Sequence, residues 1–112
     1  MLALLMHAGS VPKKVEIRRK LFLNDCYDHL KCDFIETVNV RTAQGRMLIV
    51  CDEEALIRDK IPVPSVALAD QGQYIYGDCL VFGYDPHHPD DPFTDLPEAM
   101  QSVLMTAPVL VV

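Results

Sequence analysis

Five consecutive apolar residues, Met47-Leu48-Ile49-Val50-Cys51, decide how this chain folds. A strand that faces water on one side alternates apolar and polar residues, whereas this stretch is apolar on both faces. It therefore predicts an interior strand that is covered on both sides. The stretch Cys79-Leu80-Val81-Phe82 has the same character, and the two are predicted to be neighbouring interior strands.

The N-terminal half of the chain carries several shorter signals around this strand. Residues 2–7 form a continuous apolar run and residues 14–18 alternate polar with apolar side chains, so the two predict a β-hairpin. Apolar residues at helical spacing predict an amphipathic helix over about 20–31. Residues 34–40 return to strand composition. Asp52, after the interior strand, is predicted to cap a short helical turn.

The C-terminal half predicts an extended loop, a further strand and a last helix. Pro62 and Pro64 impose the extended loop. Tyr74-Ile75-Tyr76 predicts a short strand, joined or bulged into the second interior strand. Asp95 begins a sequence that resembles a capping box, and the helix that follows must end before Pro108.

Together these elements predict an α+β fold in a single domain over residues 1–112. The expected sheet is mixed or mostly antiparallel and has about five strands, with two helices on one face, in the order β-β-α-β-β-β-α. The chain has 112 residues, of which 50% are hydrophobic, enough for one modest core. This composition and a net charge of only −6 exclude intrinsic disorder. No apolar run approaches the roughly 18 residues of a membrane span.

Residues 108–112 form an apolar tail after the predicted last helix. Extended β-branched segments suit addition to a sheet edge. The tail therefore has three alternatives: it docks on the chain's own sheet, it exchanges as a strand in a homodimer, or it frays as chain ends do.

The cysteines are interpreted as reduced thiols of a cytoplasmic protein. Cys26, Cys32, Cys51 and Cys79 contain no Cys-x-x-Cys pair, and a domain of this size needs no disulfide. The apolar start of the chain is short and has no basic residue before it, so it is interpreted as a first strand and not as a signal peptide.

Charge argues against general nucleic-acid binding but leaves one basic cluster. Sixteen acidic residues stand against ten basic ones, which opposes binding to a polyanion through the whole surface. Half of the basic residues fall within eight positions: Lys13, Lys14, Arg18, Arg19 and Lys20. The cluster predicts either a binding patch for phosphate or an acidic partner, or a solvated strand face and turn.

The loop over residues 85–91 holds the densest group of candidate metal ligands. Imidazole and carboxylate groups suit a divalent transition metal, and the weak candidates are His87, His88, Asp90 and Asp91. The prolines of this loop restrict how it wraps an ion, so the alternative is a purely structural loop. No cofactor is expected.

Three further groups carry side chains that can serve in catalysis. The triplet Asp52-Glu53-Glu54 offers carboxylates for acid–base work or magnesium, or simply favours the start of a short helix. Ser65 lacks the glycines of a nucleophile elbow, and Cys26 with His29 on one helix has poor geometry for proton transfer. The chain is therefore predicted not to be an enzyme.

Three segments, taken with the order of elements, resemble the DUF3846 family of small bacterial and phage proteins, over about residues 1–104. They are Cys51-Asp52-Glu53-Glu54, the glycine-bounded strand from Gly77-Asp78 to Gly83, and Phe93-Thr94-Asp95-Leu96 before the last helix. The chain departs from the family where Lys31-Cys32-Asp33 replaces a Gly-Gly pair. It departs again where residues 62–66 replace Pro-x-Asn-Arg.

The resemblance implies a setting and carries no catalytic residue, because the family has no assigned activity. It implies a non-enzymatic accessory binding protein, encoded by a phage or mobile element, that acts on a host protein or a small phosphorylated ligand. One alternative is a structural or oligomerisation module without a ligand, such as a homodimer formed through the tail. The other is a metal-dependent hydrolase that combines the loop over residues 85–91 with the triplet over residues 52–54.

Overall fold

The two stretches that are apolar on both faces lie side by side inside the main sheet. The computed structural model describes residues 1–58, 63–69 and 73–111. In the first range the elements are β1 (Leu2–Met6), β2 (Lys13–Glu16), a 3₁₀ turn (Arg19–Leu21), α1 (Phe22–Leu30), β3 (Ile35–Thr42), β4 (Gly45–Asp52) and α2 (Ala55–Arg58). In the other two they are β5 (Pro64–Ala69), β6 (Gln73–Tyr76), β7 (Cys79–Tyr84), β8 (Phe93–Thr94), α3 (Glu98–Thr106) and β9 (Val109–Val111).

The main sheet has the strand order β2-β1-β7-β4-β3, and β8 pairs with the far end of β7. Every strand pair in this sheet is antiparallel. In the register of the interior pair, Ile49 faces Val81 and Leu48 faces Phe82. The predicted pairing of the two interior strands is therefore confirmed, as are the α+β class and the mostly antiparallel sheet.

The two nine-residue helices lie on opposite faces of this sheet, so the prediction of both helices on one face was wrong. Alternate residues of β4 enter different cores. Ile49 joins the core that contains Leu104 of α3, and Val50 joins the core that contains Cys26 and Leu30 of α1. A strand that is apolar on both sides exposes both faces to water unless each receives its own cover.

A second sheet, of order β6-β5-β9, covers the α3 side and was not predicted. Its buried residues Val66, Leu68 and Ile75 belong to the same core as Ile49. The extended loop expected at the prolines is wrong for Pro64, which begins β5; proline is tolerated at a first strand position. Pro62 lies outside the described residues.

The strand β6 was expected to continue into β7, but the two belong to different sheets. Gly77 between them has φ +73°, a left-handed conformation that glycine adopts at little cost. The chain therefore turns from one sheet to the other at this residue.

The apolar tail docks on the chain's own second sheet. Its strand β9 runs parallel to β5, and Ala67 faces Val109. The amide of Ala67 also donates to the carbonyl oxygen of Pro108 at 2.8 Å. Of the three alternatives for the tail, the single chain shows docking within the monomer; residue 112 lies outside the described residues.

The predicted capping box before α3 was wrong. The N-cap residue is Pro97, and Asp95 instead accepts a hydrogen bond from the amide of Leu2 at 2.8 Å. A side chain on Gly83 would place Cβ only 2.3 Å from the carbonyl oxygen of Asp95. Glycine is therefore required there, because the segment before α3 crosses directly over β7.

Replacing Ile49 with Asp is expected to unfold the domain. Ile49 has no exposed surface, so the variant places an unpaired carboxylate between two covered strands, at a cost of several kcal/mol against a stability of about 5–15 kcal/mol. The matched control Ile49→Val removes one methylene and costs about 1 kcal/mol. Thermal unfolding followed by circular dichroism measures both, and a cooperative wild-type-like transition for Ile49→Asp would contradict the burial.

Candidate functional site

The predicted basic cluster is divided by the structure. Lys13 and Lys14 are exposed neighbours on β2, so the alternation of a strand sends their side chains to opposite faces of the sheet. Lys20 is exposed in the 3₁₀ turn. Arg18 and Arg19 each form an ion pair with an acidic residue of the chain. The five residues therefore do not converge on one anion.

Arg18 holds the carboxylate of Asp25 from the strand–helix junction. The Nε atom of Arg18 donates to Oδ2 at 3.1 Å, Nη2 to Oδ1 at 2.6 Å, and the Arg18 amide to Oδ2 at 2.8 Å. The side chain of Asp25 is 8% exposed, so this bidentate pair satisfies a nearly buried carboxylate. The hydrogen bonds from Arg18 lower the pKa of Asp25 to about 2.

Arg19 joins the predicted metal loop, a contact that the sequence did not reveal. Its Nη1 lies 2.6 Å from Oδ2 of Asp91, and its Nη2 donates to the carbonyl oxygen of Phe93 at 3.0 Å. Together with Asp85 and His88 these residues line an open cavity of about 310 Å³. The cavity combines the guanidinium group of Arg19 with the carboxylates of Asp85 and Asp91, which lowers its attraction for an anion.

Three of the candidate metal ligands in this loop bond to Asp85 or to Arg19. His88 Nδ1 lies 2.7 Å from Oδ2 of Asp85, and the amide of His87 donates to Oδ1 of the same carboxylate at 2.9 Å. The bond from the His87 amide is the main reason that the pKa of Asp85 is lowered. Asp90 is exposed in the loop. In the described parts of the chain, no three His, Cys, Asp or Glu side chains are arranged to hold a metal ion.

The acidic triplet lies at the other end of the sheet from this loop. Cys51 at the end of β4 faces Cys79 at the start of β7, whereas Asp85 follows the end of β7. Asp52 and Asp85 are thus separated by roughly 20 Å along the strands. The hydrolase hypothesis needs both groups in one site, and the structure does not bring them together.

Asp52 performs the predicted capping. Its Oδ1 accepts the amide of Glu54 at 2.9 Å, just before α2. Glu36, Asp52 and Glu53 line a small cavity of about 90 Å³ with Tyr74 and other residues. The triplet therefore contributes to an acidic corner of the surface.

The buried thiols and hydroxyl are poor nucleophiles in this fold. All four cysteines are buried, and none of them forms a disulfide. Burial raises the pKa of the Cys26, Cys51 and Cys79 thiols to about 12, so they remain protonated at neutral pH. Ser65 is also buried, and its hydroxyl donates to the carbonyl oxygen of Ile75 at 3.3 Å.

The outer edge of β3 is a feature that the sequence analysis missed. Met1 and Ile17 exchange two backbone hydrogen bonds, of 2.7 and 2.8 Å, which fixes the alternation of bonded pairs across the sheet. Because hydrogen-bonded and non-bonded pairs alternate along each strand, the registers of the successive strand pairs show which backbone groups of β3 bond to β4. They are those of the even-numbered residues. The backbone groups of Ile35, Thr37, Asn39 and Arg41 therefore point outward, and no described strand pairs with them.

These features define a class of protein. It is a small α+β domain with a sheet covered on both faces, paired surface charges and an open edge strand. The family model of DUF3846, described as a domain of unknown function, matches residues 1–107, and the chain belongs to this family. No curated protein and no solved structure is significantly similar to it. No helix in the described residues is long and apolar enough to cross a membrane.

Loss of the Arg18–Asp25 pair is expected to destabilise the protein in a pH-dependent way. The pKa of Asp25 is about 2 in the folded chain, below its ordinary value of 3.8, so the pair stabilises the fold above pH 3.8. This contribution disappears as the pH falls from 3.8 through about 2. Arg18→Gln should therefore be less stable than the wild type at neutral pH and approach it in acid.

Urea unfolding at several pH values measures this difference. The control Arg19→Gln breaks a pair whose side chains are 51% and 56% exposed, so its effect should be smaller. A constant difference between Arg18→Gln and the wild type down to pH 2 would contradict the role of Arg18.

Proposed function

We propose that this protein is a non-enzymatic accessory binding protein of a phage or other mobile element, which acts on a host protein in the bacterial cytoplasm. The observation that carries the proposal is the open edge of β3. We propose that an extended segment of the host protein adds to this edge as a further strand. Strand addition of this kind is a common mode of peptide recognition.

The two outer strands of the main sheet differ in how they oppose such pairing. β2 has four residues, follows Pro12 and begins with two exposed lysines, features that protect an edge. β3 has eight residues in unbroken register with β4, and it contains neither proline nor lysine. Of the two edges, β3 is the one that accepts a partner strand.

The open edge offers part of the bonding that a modest, specific complex needs. Four outward residues present both an amide and a carbonyl group. Each new backbone hydrogen bond contributes about 1 kcal/mol, whereas micromolar binding requires about 8 kcal/mol after the cost of association. Contacts between side chains must supply the remainder, so the exposed Thr37, Asn39 and Arg41 would set the sequence preference.

The other proposed ligand, a small phosphorylated molecule, has less support. The two arginines of the basic cluster are paired with Asp25 and Asp91, so phosphate would have to displace a carboxylate from each. The cytoplasmic setting is supported by four cysteines of which none forms a disulfide. Membership of DUF3846 supports the phage or mobile-element setting through the resemblance described above.

Asn39→Pro is expected to abolish partner binding without unfolding the protein. Proline removes the outward amide of residue 39 and blocks pairing there, while the ladder to β4 uses the even-numbered neighbours. Asn39→Ala removes the side chain but keeps the amide, and is the matched control. Affinity capture from a bacterial host lysate, with quantitation of each captured protein, should lose the partner at least about tenfold with Asn39→Pro and much less with Asn39→Ala, which removes only the side-chain contact.

Hydrogen exchange of the purified complex then locates the contact. The amides of Thr37, Asn39 and Arg41 should exchange fast in the free protein and slowly in the complex, because they point away from β4 along the open edge. Equal capture by both variants, or protection confined to another surface, would overturn strand addition at β3.

A further inference from the structure

One end of the main sheet carries an ordered gradient of charge. The residues at this end are Lys13 of β2, His7 after β1, Asp78 before β7, Asp52 of β4 and Glu36 of β3. The strands stand in that order, so the gradient extends over four strand spacings, or roughly 19 Å. We call the surface from Lys14 past Pro108 to Glu53, on the side of α3, the end face.

The basic end of the end face is formed by β2. Lys14 is exposed and forms no ion pair with a described residue, whereas Lys13 faces Leu5, which belongs to the core on the α1 side. Lys14 faces Leu4, whose side chain belongs to the core on the α3 side, so the alternation of the strand places Lys14 on that same side. His7 and Asp78, which separate the two ends, satisfy each other at 2.9 Å.

The middle of the end face is apolar and continuous. A cavity of about 360 Å³ beside Val11 and Met105 shares Pro64 and Pro108 with a second cavity of about 150 Å³ beside Val109. Val11 is 79% exposed, Met105 39% and Val109 41%. Exposed apolar side chains that surround connected concavities are typical of a protein interface.

The opposite end of the end face is acidic and aromatic. Tyr74 lines both the second apolar cavity and the small cavity that contains Glu36 and Glu53. Both glutamates are exposed, and neither forms an ion pair with a described residue. The end face is therefore basic at one end, apolar in the middle and acidic at the other end.

We infer that the end face binds a second copy of this chain in a two-fold symmetric homodimer. A two-fold axis through the middle, near Pro108, brings the apolar centre of one copy onto that of the other. The same rotation sets Lys14 of each copy against Glu53 of its partner. A surface of opposite charge at its two ends is complementary to itself in this orientation, which is the requirement of an isologous interface.

Reciprocal charge reversal tests this interface. Sedimentation should show the wild-type chain as a dimer, twice the 12.6 kDa of one chain. Lys14→Glu and Glu53→Lys should each weaken self-association by about tenfold or more, because each places two like-charge contacts in the dimer. At concentrations where the wild type is monomeric, their melting temperatures should stay close to that of the wild type, since both residues are exposed.

Two experiments that restore the complementary charges distinguish a specific contact between Lys14 and Glu53 from a general effect of net charge. An equimolar mixture of the two variants should form the heterodimer, and the double variant Lys14→Glu/Glu53→Lys should form the homodimer again. Asp28→Lys makes the same change of charge on α1, on the other side of the sheet, and should leave the dimer intact.

Three outcomes would overturn the inference. The first is a wild-type chain that is monomeric at every concentration reached. The second is a dimer that Lys14→Glu and Glu53→Lys both leave unchanged. The third is a dimer that Asn39→Pro dissociates, since the copies would then pair through β3. Host-protein capture through β3 is read from the same variants, so this inference and the proposed function fail separately.

Discussion

The burial of both faces of β4 and β7 is the constraint on which the rest of the structure depends. Each face needs its own apolar cover, and α1 supplies one of them. On the other side α3 has nine residues, hence a length of about 14 Å, whereas the five strands in line span roughly 19 Å. The helix alone is too short, and the second sheet covers the remainder with Val66, Leu68 and Ile75.

Local periodicity predicted the elements well and their packing poorly. The interior strands and both long helices repeat an apolar pattern within one segment, so the sequence reveals them directly. The second sheet depends on the parallel pairing of β5 with β9, two segments some forty residues apart, and no local pattern encodes it. The face of the sheet on which a helix packs likewise depends on how the chain connects helix and strand, which no local pattern encodes. The strand β5 was not predicted, because Pro64 at its first position resembles a proline in a loop.

The contacts of the charged residues in the candidate site were also hard to predict from local sequence. A run of basic residues predicted a patch, but strand alternation places the side chains of Lys13 and Lys14 on opposite faces of the sheet. The sequence alone was sufficient to predict this separation, because residues 14–18 were predicted to form a strand. The pairing of Arg18 with Asp25 depends on how α1 follows β2, and that of Arg19 with Asp91 joins segments 72 residues apart. The glycine and Phe-Thr-x-Leu motifs have structural roles, since Gly83 accommodates Asp95 and Leu96 is buried.

The proposed dimer and the proposed host contact occupy different parts of the sheet, so the protein can form both contacts at once. Glu36 lies at the beginning of β3, whereas Asn39 and Arg41 follow it by about 10 and 16 Å along the strand. A second copy seated on the end face therefore leaves the open edge accessible. Two-fold symmetry then gives the dimer two such edges, so that it binds a host protein that is itself dimeric, or that carries two extended segments, at both ends. Because the second contact forms within one complex, a weak interaction at each edge is converted into tight binding without any new contact.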